Sequence, residues 1–262
     1  MTVLMHLSDL HFGAHDPLVC AAVQRLAQRL GVAMVVVSGD LTQRATAEQF
    51  EQAARFVQGL HARSTLVLAG NHDLPLFAWW MRWGRSYERF SEQFGMDQEP
   101  VRQMGAFYVV GVNTTRAWRH ERGSLSSAQI EHVALLLARA PPGAWRIVAS
   151  HHPLVARDAE DRDHRPLRAD EAVERWRIAG AQMLLSGHVH QPRLLQPMPG
   201  LWASSAGTAV SHRLRHGSPN SLVVLSTEAS GAVPDGQARV AARWDYDGAV
   251  GEFVCVDRVA AR

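Results

Sequence analysis

The chain has 262 residues, of which 47% are hydrophobic, and this composition suits one compact α/β domain over residues 1–262. Its 27 Lys and Arg residues nearly balance its 25 Asp and Glu residues, so no broad basic field favours a polynucleotide partner. The sequence shows neither a signal peptide nor an apolar run near the ~20 residues of a membrane helix, so we expect a soluble, cytoplasmic protein with Cys20 and Cys255 as buried thiols.

The first third of the chain alternates apolar runs with amphipathic helices. Buried strands are predicted at residues 2–8, 33–37 and 65–69. A helix lies in each interval, the first after the N-cap residue Asp16 and the second after the N-cap residue Thr46. Because strands that alternate with helices form βαβ units, this pattern predicts a parallel sheet.

Two later segments interrupt the alternation. Helical spacing is plausible from about Phe77 to Phe94, and this segment carries three tryptophans within five positions, Trp79, Trp80 and Trp83. We therefore expect some of this aromatic surface to be exposed, as a wall for substrate or a peripheral contact with lipid. Residues 155–168 are polar and rich in charge, which predicts a mobile surface loop or cap.

The second half continues the same alternation. Strands are predicted at residues 107–112, 145–149 and 181–185, with helices at 126–139 and 170–178. Four further β-like runs are linked by Gly, Ser and Pro turns, which predicts an antiparallel completion of a second sheet. These runs are residues 201–204, 221–226, 240–246 and 252–256.

Five of the predicted strands end in side chains that can ligate metal or move protons. Because the carboxyl ends of parallel strands lie along one edge of a sheet, these side chains should converge in one crevice. They offer oxygen and nitrogen but no thiolate, which favours Mn²⁺, iron, Zn²⁺ or Co²⁺, and they are too many for one tetrahedral ion. They are Asp9 and His11, Asp40, Asn71 with His72 and Asp73, His151 with His152, and His188 with His190, and seven ligands would suit two ions.

A pair of metal ions indicates phosphoryl chemistry. Ions about 3.5–4 Å apart clamp a phosphoryl group and hold a bridging hydroxide that attacks phosphorus in line with the leaving group. An imidazole beside such a centre can steady or protonate the leaving oxygen. His72 is the candidate for this catalytic role, and the neighbouring Asp73 is expected to orient it.

Other polar residues lie near the predicted strand ends. Arg44, Asn113 and Arg116 either bind phosphate or a nucleotide or only solvate the surface. His151 and His152 are adjacent, and the residues alone leave open which of them ligates metal. His212 comes shortly after a turn that returns the chain towards the crevice, so it is a further candidate for substrate contact.

The motifs together resemble the ordered motif set of the calcineurin-like metallophosphoesterases. The matching motifs are Asp9-x-His11, Gly39-Asp40, Gly70-Asn71-His72-Asp73, His151 and Gly187-His188-x-His190. This resemblance implies a four-layer αββα sandwich with two mixed β-sheets. It also implies a dinuclear centre of Mn²⁺ or iron, with Zn²⁺ or Co²⁺ as alternatives.

The resemblance also assigns a role to each candidate. Asp40 would bridge the two ions, and His72 would act near the leaving group. The remaining ligands would divide into one set of Asp9, His11 and His190 and another of Asn71, His151 and His188. His152 would then support the centre or contact substrate.

The same motifs suggest a substrate class. Ser8-Asp9-Leu10-His11, Asn71-His72-Asp73 and His151-His152-Pro153 resemble the class III cyclic-nucleotide phosphodiesterases, although no second proline follows Pro153. A small-molecule phosphodiesterase acting on a 3′,5′-cyclic nucleotide is therefore the leading hypothesis. The alternatives are a pyrophosphohydrolase of the UDP-diacylglucosamine type, with the tryptophans as its acyl-binding wall, and a non-catalytic scaffold that binds a partner protein. The sequence leaves open whether the chain forms a homodimer.

Overall fold

The computed structural model describes residues 2–75, 86–117, 121–156, 159–215, 217–229 and 237–261. The first sheet has the strand order β12-β11-β10-β1-β2-β3. β1, β2 and β3 are mutually parallel, whereas β10, β11 and β12 continue the sheet in antiparallel fashion from β1. Its strands are β1 (Thr2–Leu7), β2 (Met34–Val37), β3 (Ser64–Val67), β10 (Ser221–Ala229), β11 (Gln237–Asp247) and β12 (Glu252–Ala260).

The second sheet has the strand order β4-β5-β6-β7-β9-β8. Its central strands β5, β6, β7 and β9 are parallel, and the two edge strands β4 and β8 are antiparallel to their neighbours. The strands are β4 (Val101–Met104), β5 (Phe107–Val112), β6 (Trp145–Ser150), β7 (Met183–Ser186), β8 (Arg193–Met198) and β9 (Leu201–Ser205).

Helices cover the outer face of each sheet. Successive side chains of a strand point to opposite faces of its sheet. In β1, Met5 and Leu7 therefore face the helices while Leu4 faces the other sheet. Three apolar clusters result, one between the sheets and one under the helices on each side, which confirms the four-layer αββα sandwich. The helices are α1 (Pro17–Leu30), α2 (Ala47–Gln58), α3 (Glu88–Phe94), α4 (Ser127–Ala138), α5 (Ala159–Arg162) and α6 (Ala169–Ile178).

The predicted caps of the first two helices are present. The Asp16 carboxylate accepts a hydrogen bond from the Leu18 N–H at 2.8 Å, and the Thr46 hydroxyl accepts one from the Gln49 N–H at 3.3 Å. These bonds satisfy N–H groups that the first turn of a helix leaves unpaired. α1 and α2 therefore begin at defined positions and leave the strand ends of β1 and β2 as loops.

The prediction for the C-terminal strands was partly wrong. Only the run at 201–204 joins the second sheet, where β9 is parallel to β7. The other three runs form β10, β11 and β12 and extend the first sheet. The edge strands β4 and β8 were not predicted, because half-exposed edge strands lack the continuous apolar run of a buried strand.

Three further expectations concern the two cysteines, the aromatic segment and membrane-spanning helices. Cys20 is half-buried, but Cys255 is exposed on the edge strand β12, so the prediction of two buried thiols was wrong for Cys255. The last part of the helix predicted in the aromatic segment is present as α3 (Glu88–Phe94), whereas residues 76–85, with Trp79, Trp80 and Trp83, lie outside the described residues. Among the helices that the structure describes, none is long and apolar enough to cross a membrane.

Candidate metal centre

The loops after β1 and β2 lie side by side and bring their polar residues together. The Asp9 N–H donates to the Gly39 carbonyl at 3.0 Å, and the His11 N–H donates to the Asp40 carbonyl at 2.9 Å. The second sheet is joined to this loop pair, because the Asp9 carboxylate accepts from the His188 N–H at 2.9 Å. The ends of strands from both sheets thus meet in one buried cluster.

One group of donor atoms contains Asp9, His11, Asp40 and His190. His11 Nε2 is 3.0 Å from His190 Nε2 and 3.6 Å from Asp40 Oδ2, and His190 Nε2 is 3.3 Å from Asp9 Oδ1. One donor atom from each residue lies within 4.8 Å of all the others, and all four residues are buried. This is a compact set of oxygen and nitrogen donors of the kind that binds Mn²⁺, iron or Zn²⁺.

A second group contains Asp40, His151, His188 and Asn71. His151 Nε2 is 3.4 Å from Asp40 Oδ1, and the Asn71 side-chain oxygen is 3.0 Å from both His151 Nε2 and His188 Nδ1. Asp40 therefore belongs to both groups, with one carboxylate oxygen facing each. All seven predicted ligands converge as two sets that share one carboxylate.

The protonation state of two candidate ligands also favours metal binding. Burial lowers the pKa of His11 to about 3 and lowers the pKa of His188 well below its usual range. Both rings are therefore neutral near neutral pH, and the neutral imidazole is the form that ligates metal. The donor set and its charge state thus fit a dinuclear transition-metal centre.

Hydrogen bonds behind the cluster select which ring nitrogen faces inwards. His151 Nδ1 is 2.9 Å from the Ser38 carbonyl oxygen, and His190 Nδ1 is 2.7 Å from the Arg213 carbonyl oxygen. Because a carbonyl can only accept, Nδ1 carries the proton in both rings and the Nε2 lone pair faces the cluster. His188 is turned the other way, with Nδ1 inwards and Nε2 at 3.3 Å from His164 Nδ1.

Backbone geometry holds the loops in place. Five of the candidate ligands are non-glycine residues in the left-handed region, where side chains are disfavoured unless the surroundings enforce the conformation. These are Asp9, His11, Asp40, His188 and His190. A Cβ at Gly70 would overlap Asp40, and one at Gly187 would overlap Ser8 and Asp9, so the glycines allow this close approach.

Replacing Gly187 with alanine is expected to disturb the centre. The added Cβ would press on the Asp9 carboxylate, so we expect at least about tenfold weaker metal binding and about 1–3 kcal/mol lower stability. Competition with a chelator and thermal unfolding measure the two effects. Gly248→Ala is the control, because its Cβ would meet no atom among the described residues. Equal behaviour of the two variants would contradict the crowding at Gly187.

The pKa of His190 predicts how metal affinity depends on pH. Burial disfavours the charged ring, but the charge and hydrogen bond of Asp9 outweigh burial and raise the pKa of His190. A metal ion must then displace this proton, so affinity should strengthen by up to about tenfold per pH unit from about pH 6 upwards, until the proton is lost. Chelator competition across this range measures the slope. His190→Gln should flatten it, and an equally steep slope in that variant would contradict the assignment.

The expectation that Asp73 orients His72 was wrong. The Asp73 carboxylate accepts hydrogen bonds from the backbone N–H groups of Gly70, Leu41 and Thr42 at 2.8, 3.1 and 2.9 Å, and from the Thr42 hydroxyl at 2.9 Å. It therefore joins the loop after β3 to the loop after β2 and holds the backbone that carries Asp40 and Asn71.

His72 is oriented by other groups. Its backbone N–H donates to Asp40 Oδ1 at 2.8 Å, and its ring lies edge-on to His11 with 4.8 Å between the ring centres. Its Nδ1 is 3.1 Å from the Gln43 carbonyl oxygen, and its Nε2 is 3.0 Å from Arg213 Nη1. The ring thus borders the first group of donor atoms.

Asn113 and Arg116 belong to a separate hydrogen-bond network. Asn113 binds Tyr87 and Thr115, and Arg116 donates to the Asn113 and Thr115 carbonyls and to Gln129. None of their contacts within the described residues is with a candidate ligand. The expectation that they contact substrate gains no support from this arrangement.

His152 is buried against the cluster, with its ring centre 4.6 Å from that of His188. Its Nε2 donates to the Glu121 carbonyl at 3.2 Å, and its Nδ1 accepts from the Thr114 hydroxyl at 2.8 Å. Both ring nitrogens are therefore occupied, so His152 supports His188 by packing, which favours the supporting role over contact with substrate.

Arg44 and His212 are exposed and show no described contact with the cluster. The Arg44 N–H donates to the Gln49 side chain, and the His212 N–H donates to the Ala14 carbonyl. The His212 side chain lies near His15, whose pKa is lowered by burial and by this neighbouring ring. The structure does not bring either residue to the candidate ligands.

Sequence reasoning missed two residues at the centre, Arg213 and His164. Arg213 directly follows the candidate His212, so the correct loop was identified but the wrong residue was chosen. His164 belongs to the charge-rich segment 155–168, which was expected to be a mobile loop or cap. Part of that segment forms α5, and His164, which follows α5, lies 3.3 Å from the candidate ligand His188.

Replacing His164 with alanine is expected to weaken the second metal position. The His188 Nε2–H would lose its acceptor, and loss of such supporting bonds typically costs about 10–100-fold in metal affinity. The visible spectrum and affinity of the Co²⁺-loaded protein measure the change. His132→Ala removes an exposed histidine from α4 and serves as the control. An unchanged Co²⁺ spectrum and affinity in His164→Ala would contradict the supporting role.

Known structures share this fold at low sequence identity. The purple acid phosphatase PPD1 of yellow lupin (Lupinus luteus) seeds is 13% identical with a TM-score of 0.72, over 99% of this chain and 53% of the lupin chain. This chain thus spans about half the length of that relative. A dimetal phosphatase from Danio rerio is 11% identical with a TM-score of 0.63, over 99% of this chain and 98% of that chain. Vps29 from Entamoeba histolytica, complexed with zinc, is 15% identical with a TM-score of 0.52 over the whole of both chains.

Sequence comparison gives the family. No curated protein matches the sequence significantly. The model of the calcineurin-like phosphoesterase family matches residues 2–192, which contain all seven candidate ligands. The chain therefore belongs to the calcineurin-like phosphoesterase family.

Proposed function

We propose that this protein is a dinuclear metal-dependent phosphodiesterase of small molecules, with a 3′,5′-cyclic nucleotide as its substrate. The observation that carries the proposal is the position of Asp40, which presents one carboxylate oxygen to each of two donor groups. A residue shared in this way serves two ions at once. The buried histidines around it, of which His11 and His188 have lowered pKa values, have no comparable use in a simple structural core.

The seven candidates divide between the two ions as follows. Asp40 would bridge them, and the other ligands would be Asp9, His11 and His190 for one ion and Asn71, His151 and His188 for the other. Two ions there, with Mn²⁺ and iron preferred and Zn²⁺ or Co²⁺ as alternatives, would polarise the phosphoryl oxygens and activate water for attack.

The charges of the candidate ligands favour the binding of an anionic ester. Asp9 and Asp40 are the two carboxylates among the candidate ligands, and two carboxylates do not neutralise two divalent ions. The loaded centre would therefore attract a phosphoester anion. Its first donor group is bordered by His72, which in turn contacts Arg213. These two side chains would face the alkoxide that leaves when a diester is cleaved, and an alkoxide requires such stabilisation.

No specific observation favours either of the two alternative functions. The pyrophosphohydrolase hypothesis depends on Trp79, Trp80 and Trp83, which lie outside the described residues. A non-catalytic scaffold has no need of a complete ligand set, yet all seven positions are filled and converge. The phosphodiesterase remains the proposal that these contacts support.

Substrate screening tests the proposal. The metal-free protein is reconstituted with Mn²⁺ and assayed with bis(p-nitrophenyl) phosphate, p-nitrophenyl phosphate, 3′,5′-cyclic AMP and a nucleoside diphosphate sugar. We expect metal-dependent turnover of the diesters, including the cyclic nucleotide, that exceeds turnover of the monoester. Preference for the diphosphate would favour a pyrophosphohydrolase, and absence of metal-stimulated turnover on every ester would reject the enzyme.

A further inference from the structure

Arg213 lies in the loop after β9 and contacts both the predicted catalytic residue and a predicted ligand. Its Nη1 is 3.0 Å from His72 Nε2 and 3.4 Å from Gln43 Oε1. Its carbonyl oxygen accepts from His190 Nδ1 at 2.7 Å. We infer that the Arg213 guanidinium binds an anionic oxygen of the phosphoester beside His72, an inference that rests on the proposed function.

The hydrogen bonds of His72 fix the position of its ring proton. Arginine can only donate, so His72 Nε2 accepts the bond from Arg213. The Gln43 carbonyl can only accept, so Nδ1 donates to it at 3.1 Å. In this arrangement Nε2 carries no proton that could pass to a leaving oxygen. The donor group offered at this point is therefore the guanidinium, and His72 positions it.

The Arg213 guanidinium has N–H groups that can bind a ligand. Its Nη1 is occupied by His72 and Gln43, whereas Nε and Nη2 of Arg213 have no hydrogen-bond partner among the residues that the structure describes. The side chain is half-buried, so these donors are only partly hydrated. A planar fork of N–H groups matches two oxygens of a phosphoryl group, and such charge-assisted bonds are strong.

The position of the fork relative to the centre follows from its neighbours. His72 donates its backbone N–H to Asp40 Oδ1 at 2.8 Å and packs against the His11 ring. The fork therefore lies just beyond the first donor group, on the side of His72. A phosphoryl group bound by the ions that Asp40 would share would extend its leaving oxygen, or a non-bridging oxygen, towards Arg213.

Substitutions of Arg213 test the role of its side chain while its backbone carbonyl stays in place. Arg213→Ala removes the fork but keeps the carbonyl that orients His190. Arg213→Lys keeps the charge but loses the planar fork. Arg215→Ala is the matched control, since it removes an exposed arginine two residues further along the same loop that has no described side-chain contact.

Binding of inorganic phosphate to the Mn²⁺-loaded proteins, followed by calorimetry, provides the direct test. We expect Arg213→Ala to weaken phosphate binding by about 10–100-fold, the usual cost of a lost charge-assisted hydrogen bond, with unchanged manganese content. Arg213→Lys should recover part of the loss, and Arg215→Ala should match the wild type. The kcat/KM for bis(p-nitrophenyl) phosphate should follow the same order.

Several results would overturn the inference. Phosphate binding in Arg213→Ala equal to that in Arg215→Ala would show that the fork does not bind the anion. Loss of manganese from Arg213→Ala would show that the side chain only supports the centre, and failure of the wild type to bind phosphate would remove the anion site. If the wild type binds phosphate through Arg213 but hydrolyses no ester, the proposed function fails while the anion site stands.

Discussion

Replacing Asp40 with alanine is expected to remove both metal ions and to lower phosphodiester hydrolysis by at least about 10³-fold. The reason is its shared position, with Oδ2 3.6 Å from His11 and Oδ1 3.4 Å from His151. Loss of any other candidate ligand would weaken one donor group, whereas loss of Asp40 weakens both. Manganese content by elemental analysis and turnover of bis(p-nitrophenyl) phosphate measure the two effects.

The Asp40→Ala experiment needs a folding check, a second variant and a control. Asp40 also accepts the His72 N–H at 2.8 Å, so circular dichroism must show that the variant remains folded. Asp40→Asn preserves the shape and should retain metal poorly because it lacks the charge. Glu51→Ala removes an exposed carboxylate on α2 whose exposed ion pair with Arg55 contributes little. Full metal occupancy in Asp40→Ala would contradict the bridging role.

Replacing His72 with alanine is expected to leave both ions bound and to slow the reaction according to the leaving group. For esters with alkoxide leaving groups, turnover should fall by about 10²–10³-fold, because the ring that positions Arg213 is lost. For p-nitrophenyl esters the decrease should be smaller, since p-nitrophenolate leaves without such help. The ratio of kcat for activated and unactivated esters measures this difference.

The metal content of His72→Ala is the control for that comparison. His72 contributes no donor atom to either candidate group, so its loss should not release metal. Equal losses for activated and unactivated esters would remove the leaving-group role from His72. Loss of metal would show that the ring holds the Asp40 loop rather than the substrate.

Local patterns were sufficient to predict the central strands and the convergence of the candidate ligands. Apolar runs such as the one before Asp9 define where each strand ends, and parallel strands bring their ends to one edge. The bridging position of Asp40 was implied by the family resemblance and not by its place in the sheet, and its two carboxylate oxygens do face the two groups.

Long-range pairing explains what the sequence did not reveal. The runs that form β10, β11 and β12 are recognisable as strands, but a strand pattern does not specify its partner sheet. Asp73 is next to His72 in sequence, yet its carboxylate bonds N–H groups more than 30 residues away, on Leu41 and Thr42. Arg213 and His164 reach the centre only through loop packing, which has no sequence period.

The central claim is that the two donor groups hold two ions that act together through Asp40. Titration of the metal-free protein with Mn²⁺, followed by electron paramagnetic resonance and by diester hydrolysis, tests it most directly. The predicted result is two ions per chain with an exchange-coupled signal, and hydrolysis that rises as the coupled signal forms. Binding of a single uncoupled ion, or hydrolysis that is complete before the second ion binds, would contradict the account.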